Sequence, residues 1–223
     1  MENNYLLTSY DKEFLNVVGL KWLPWIGTNY DNTKTVIVGE SQYEDGDYWQ
    51  YENIDATRIL ISKRFDGDRG KIYTNIEKVL LGIEKPTLEQ GNFVWKSVVY
   101  LNLVQRLMSS RNERPNDLDF DNGWMTFFKI VEIIKPTTCI VIGKKSWGRF
   151  CNYLNNNENG AKWNKEISEF HAVERIVTLS KDTYQLKLIF INHASGSRGF
   201  DYKHWANLIN ESEPQLRQLL THK

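Results

Sequence analysis

Thr35-Val-Ile-Val-Gly-Glu-Ser-Gln-Tyr43 and Leu188-Ile-Phe-Ile-Asn-His-Ala-Ser-Gly-Ser197 share one plan: a short β-branched and apolar run that stops abruptly at small and polar residues. A run that is apolar at every position, rather than at alternate ones, fits a strand buried on both faces, as in a parallel sheet. In an open α/β sheet ligands bind beyond the carboxyl ends of the strands. Two such ends therefore place Glu40, Tyr43, His193 and Ser195 around one cleft.

Two more runs read the same way. Thr138-Cys-Ile-Val-Ile-Gly143 is a strand leading through Lys144-Lys-Ser146 into a helix, and Phe93 to Asn102, rich in β-formers and closed by a polar residue, is a second. Arg175 to Leu179 adds a short strand. Helical spacing is expected over residues 5–20, Ile54 to Phe65, Ile72 to Ile83 and Gly123 to Ile134, where Lys135-Pro136 ends the stripe. A closing helix over Trp205 to Leu220 is interrupted near Pro214. Asp31-Asn32 reads as a turn, and Ser109 to Asp117 as a polar loop with two arginines. The long connection between the first two strands has the character of a lid or substrate wall. Strands alternating with helices, with no Pro/Gly/Ser-rich linker, make residues 1–223 one α/β domain.

Composition narrows the function. Lys and Arg balance Asp and Glu at 28 each, so any attraction to nucleic acid must come from local patches. Scattered histidines and two cysteines supply neither metal-ligand spacing nor a disulfide framework. No run of eighteen apolar residues and no amino-terminal signal pattern is present, so a cytoplasmic protein is expected.

Four landmarks, in order, resemble the uracil-DNA glycosylase superfamily. Gly39-Glu-Ser-Gln-Tyr43 is similar to its first motif, which takes GQDPY, GEAPG and GMNPG forms; Asn102 is similar to the base-reading asparagine. Pro136 through Gly143 resembles the shared Pro-strand-Gly segment. His193 through Trp205 resembles the HPSP motif with its following basic residue and tryptophan, in the spacing of the single-strand-selective monofunctional enzymes. Taken singly, a strand-end carboxylate is as readily a cap, and a histidine after an apolar run a packed side chain; the order of the landmarks favours chemistry.

The resemblance implies a three-layer α/β/α fold with a central, mainly parallel four-stranded sheet. It also implies hydrolysis of the N-glycosidic bond of uracil or another damaged base. Glu40 would position or deprotonate water and His193 would donate to the base oxygen that gains charge. Gly39, Ser41, Tyr43, Asn102 and Ser195 would bind the substrate, with Asn102 matching an imide edge and Tyr43 walling off the position beside carbon 5. Ser197, Arg198 and Lys203 would hold phosphates flanking an extruded nucleotide. The implied partner is DNA, single strands included, bound by a monomer with no metal, no cofactor and no membrane. Gln42, Ala194 and Gly196 replace motif prolines, and Glu44, Asp45 and Asp47 add acid beside the site. There is no four-cysteine set for the iron–sulfur branch. These departures keep two alternatives open: a hydrolase of a modified nucleoside or nucleotide, and an inactive binding module on the same fold.

Overall fold

The computed structural model describes residues 4–44, 49–68, 70–110, 112–156, 163–168, 175–195 and 200–221. Its main sheet joins β1 (Trp25–Ile26), β2 (Thr35–Gly39), β4 (Val98–Asn102), β6 (Thr138–Ile142), β7 (Asn164–Ser168), β8 (Arg175–Lys181) and β9 (Tyr184–Ile191) in the order β1-β4-β2-β6-β9-β8-β7. The pairings β4·β2, β2·β6 and β6·β9 are parallel; β1·β4, β9·β8 and β8·β7 are antiparallel. The four expected runs thus form the parallel centre, but the sheet has seven strands rather than four. Of the other three, β8 is the short strand expected at Arg175 to Leu179, β7 pairs on its far side, and β1 is a two-residue edge too short to announce itself. Asp182, at φ 54°, begins the two-residue turn that joins β8 to β9. A separate pair, β3 (Gln42–Tyr43) and β5 (Leu107–Met108), lies parallel just past the ends of β2 and β4.

Every residue of β2, β4 and β6 is buried, which is why their sequence is apolar without alternation. The two faces still follow the period of two. Val36, Val38, Val99, Leu101, Cys139, Val141, Leu188 and Phe190 pack on Trp124, Phe127, Val131 and Phe150 of α7 (Asp117–Ile134) and α8 (Trp147–Asn155). Ile37, Tyr100, Ile140, Ile189 and Ile191 face the other way. They meet Ile76 and Leu80 of α5 (Lys71–Leu81), Val94 and Trp95 of α6 (Leu88–Ser97), and Trp205, Ile209 and Leu216 of α9 (Tyr202–Ser212) and α10 (Pro214–Thr221).

Three sequence expectations give way. Phe93 to Ser97 is the last part of α6, not strand: the Thr87/Gln90 capping box starts a helix that buries Gly91, Val94 and Trp95 along one face, and extended structure begins only at Val98. Over residues 5–20 only α1 (Asp11–Phe14) is helical, because Phe14 is the sole member of the proposed stripe to be buried while Leu15 and Val18 face solvent. Tyr30–Thr33 forms α2, one helical turn ended by Lys34 in left-handed conformation, where a simple turn is expected. The remaining short helices are α3 (Trp49–Glu52) and α4 (Ala56–Ser62), the latter shorter than the Ile54 to Phe65 expected. The closing helix breaks at Glu213, before Pro214, as read. Asp45 and Asp47 of the acidic loop lie outside the described residues.

The order of the parallel strands locates a crevice. The chain leaves β2 for β4 on one side and leaves β6 for β9 on the other, so the connections diverge between neighbouring β2 and β6. That divergence opens the sheet at the carboxyl ends of these strands, where Glu40 and Gly143 follow directly.

Candidate active site

A cavity of about 640 Å³ occupies this crevice, within the range of small-molecule sites. Glu40, Ser41, Tyr43, Asn102, His193 and Ser195, six of the residues picked out in the sequence, line it together. They converge because each follows or closes a parallel strand.

Gly39 lies beneath the wall and shows why the position is bare. In the β2·β4 register it stands beside Asn102, and a Cβ there would come 2.2 Å from Asn102 Oδ1 and 2.5 Å from the Tyr100 hydroxyl. Glycine thus lets two polar side chains lie across the neighbouring strand. The Tyr100 hydroxyl donates to Asn102 Oδ1 at 3.2 Å, and Asn102 Nδ2 is buried with no hydrogen-bond partner among the described residues. Ser41 Oγ and Gln42 Nε2 are in the same condition, and all three residues line the cavity.

Gly143, at φ +103°, separates the two proposed catalytic groups. A Cβ on it would stand 3.1 Å from Glu40 Oε2 and 3.6 Å from His193 Cδ2, so both side chains crowd the space that glycine leaves. The Ser195 N–H donates to His193 Nδ1 at 3.3 Å. That assigns the neutral ring's proton to Nε2. Burial holds the His193 pKa below its ordinary value; the Glu40 carboxylate opposes this shift, and Arg114 and Lys145 reinforce it. Ala194, in place of a motif proline, is fully buried, and its carbonyl accepts from Asn75 Nδ2 at 2.8 Å.

Several wall residues carry no mark in the sequence reading. Lys71, Ile72 and Tyr73 enter from the first turn of α5, so the long connection does supply a wall. Tyr73 packs edge-on against both Tyr100 and Trp95, and burial pushes its hydroxyl up to about 12. Behind it the Arg64 guanidinium lies 5.2 Å from the Tyr73 ring centre. Arg64 pairs with Glu77 at 3.2 Å, both wholly buried, and Glu77 also accepts from Trp95 Nε1 at 2.8 Å.

Arg114 reaches the cavity because its loop is pinned. Arg106 grips Asp119 through Nε at 2.6 Å and Nη2 at 2.8 Å, and binds Glu113 at 2.6 Å. Glu113 in turn accepts from the Ser109 hydroxyl and N–H, and these bonds with Arg106 hold its carboxyl down at about 2. Arg114 then donates to the Tyr43 hydroxyl at 3.3 Å. Lys144 and Lys145 follow Gly143, with Lys144 Nζ 5.2 Å from the Trp205 ring centre. Four cations therefore line one cavity in a chain of zero formal net charge.

Lys203 is exposed in the first turn of α9, its backbone N–H bonded to Asp201, and does not line the cavity. Ser197 and Arg198 lie outside the described residues. The signal for Lys144 and Lys145 was in plain view, since they directly follow a strand-ending glycine. Among the described residues, the site offers the Glu40 carboxylate, an imidazole N–H, buried amide nitrogens without a partner and four cationic side chains. No protein-family model matches the chain, and no curated protein is detectably similar to it.

Proposed function

We propose that this protein is a DNA glycosylase that hydrolyses the N-glycosidic bond of uracil or another damaged base extruded from a DNA strand. The observation that carries the reading is the meeting of Glu40, Asn102 and His193 in one cavity bordered by Lys71, Arg114, Lys144 and Lys145. The lysines and arginine suit phosphates on either side of an extruded nucleotide.

The chemistry follows from the groups present. As the bond between the base nitrogen and the sugar C1′ lengthens, its electron pair leaves with the base and positive charge grows on the sugar. Glu40 faces that charge and orients a water, whose oxygen bonds to C1′ while its proton passes to the carboxylate. The His193 Nε2–H donates to the base oxygen on which negative charge gathers. A neutral imidazole suits this task, and burial keeps the ring neutral. The proton taken up by Glu40 then passes to solvent as the base anion takes one from solvent, which leaves a free base, an abasic sugar and the carboxylate restored.

With this function goes the finer fold reading: a three-layer arrangement in which β4-β2-β6-β9 is the superfamily's common sheet. Further expectations that go with this reading are a monomer and a cytoplasmic location.

The test is alkali cleavage of labelled single- and double-stranded oligonucleotides carrying one uracil. The intact chain is expected to leave alkali-labile sites, at least on the single strand, and His193→Ala to reduce them by at least about tenfold. Folded protein that leaves none on either substrate would remove the proposal and direct the search to free nucleosides and nucleotides.

A further inference from the structure

We propose that Gln105 is a positioning residue: its side-chain amide brackets the turn after β4 and so holds Asn102 and the Glu40 backbone in the arrangement that hydrolysis needs. The inference rests on the roles given to Glu40 and Asn102 above and adds a residue that does not itself line the cavity.

Gln105 makes three hydrogen bonds through one amide. Its Nε2 donates to the Asn102 carbonyl at 2.6 Å, and its Oε1 accepts from the Lys21 N–H at 3.0 Å and the Trp22 N–H at 3.2 Å. A carbonyl only accepts and an N–H only donates, so these partners fix which way the amide faces. The far side of the bracket is anchored. Trp22 is buried with Tyr51 and Ala56, and its Nε1 donates to the Tyr51 carbonyl at 2.9 Å.

The bracket reaches Glu40 through the backbone. The Asn102 carbonyl and the Leu103 N–H belong to one planar peptide group. Gln105 holds the carbonyl end, and the N–H end donates to the Gly39 carbonyl at 2.9 Å. The next N–H, of Val104, donates to the Glu40 carbonyl at 3.0 Å. The peptide groups before and after Glu40 are thus both tied to the turn that Gln105 holds, where β2 ends and Glu40 joins the cavity wall. Asn102 is held twice, its carbonyl by Gln105 and its side chain by the Tyr100 hydroxyl. A carboxylate that aims a water at one carbon loses rate steeply with a small displacement, whereas binding is spread over the whole wall. Loss of the bracket therefore falls on turnover rather than on affinity.

Two substitutions separate the halves of the amide. Gln105→Glu keeps the acceptor for Lys21 and Trp22 but sets a second acceptor against the Asn102 carbonyl. Gln105→Lys keeps a donor for that carbonyl and gives up the acceptor. With both variants shown to be folded by their melting curves, steady-state uracil release from a single-stranded oligonucleotide is measured. Gln105→Glu is expected to lower kcat at least about tenfold with KM within about threefold, and Gln105→Lys to keep kcat within about threefold of the intact chain. Amide hydrogen exchange gives a readout free of chemistry. At Leu103 and Val104, relative to Ile140 and Val141 of β6, exchange is expected to quicken at least about fivefold in Gln105→Glu and to stay near the intact value in Gln105→Lys. Unchanged exchange in Gln105→Glu overturns the proposal. An equal loss of kcat in both variants also overturns it, since a merely structural role would not follow the donor. Exchange that follows the donor, while the folded intact chain releases no uracil, keeps the bracket and removes the glycosylase reading. Release that both variants retain in full keeps that reading and removes the positioning role.

Discussion

The two ends of the parallel strands are built to opposite rules. At the amino ends polar groups find partners within the protein: the Tyr30 hydroxyl donates to the Ile134 carbonyl at 3.1 Å, the Tyr184 hydroxyl to the Pro136 carbonyl, and Lys187 to both the Ser212 carbonyl and Glu213 at 2.6 Å. At the carboxyl ends Ser41, Gln42 and Asn102 each have a buried polar atom without a hydrogen-bond partner among the described residues, and four cationic side chains share one cavity. On the proposed function, the amino ends serve the fold and the carboxyl ends serve the substrate. Substitutions at the amino ends should therefore cost stability alone, and those at the carboxyl ends should cost function first.

The largest expected effect falls on the support behind the cavity. Glu77→Leu takes the buried carboxylate from Arg64, leaving it only the exposed Asp68 at 3.7 Å, and removes the acceptor of Trp95 Nε1; the loss of about 3–5 kcal/mol should show as a large fall in the urea midpoint. A loss under about 1 kcal/mol would mean that the pair does not hold the Tyr73 wall. Gly39→Ala comes next. Its Cβ meets Asn102 and Tyr100 well inside contact distance, so about 1–3 kcal/mol of strain is expected together with loss of base release. Full activity in that variant would show that Asn102 and Tyr100 need not lie where they do.

Smaller effects sharpen the contrast. The His193 pKa is depressed on folding, so between that value and the unfolded 6.5 the unfolded chain binds more protons. Stability from this group is complete above about pH 6.5 and is lost as pH falls through the folded value. NMR titration of the ring is expected to give a midpoint below 6.5, and a midpoint above it would mean that Glu40 outweighs burial. Lys187→Met, at the amino ends, should cost no more than about 1 kcal/mol and leave base release untouched.

The same contrast explains what could be read from the sequence. Glu40, Asn102 and His193 follow or close parallel strands, so local pattern placed them and the topology brought them together. Arg114 meets the cavity wall through its bond to Tyr43, 71 residues away, and Tyr73 through its packing on Trp95 and Tyr100, and no local pattern carries that information. The Leu88–Ser97 helix was legible after all, in the Thr87 and Gln90 of its capping box, but its Phe-Val-Trp run outweighed that signal. Gln42 was noticed only as a missing proline, and its buried amide is visible only once β3 pairs with β5.

The central claim is that the carboxylate at the end of β2 drives hydrolysis rather than binding. It is tested most directly by the single-turnover rate of free-uracil release from a single-stranded oligonucleotide, for the intact chain and Glu40→Gln, with Kd measured beside it on the same strand carrying 2′-fluoro-2′-deoxyuridine, whose fluorine suppresses cleavage. The account predicts release by the intact chain, slowed by at least about a hundredfold in Glu40→Gln, with affinity changed less than about threefold. Equal release by the variant, or none by the folded intact chain, would contradict it.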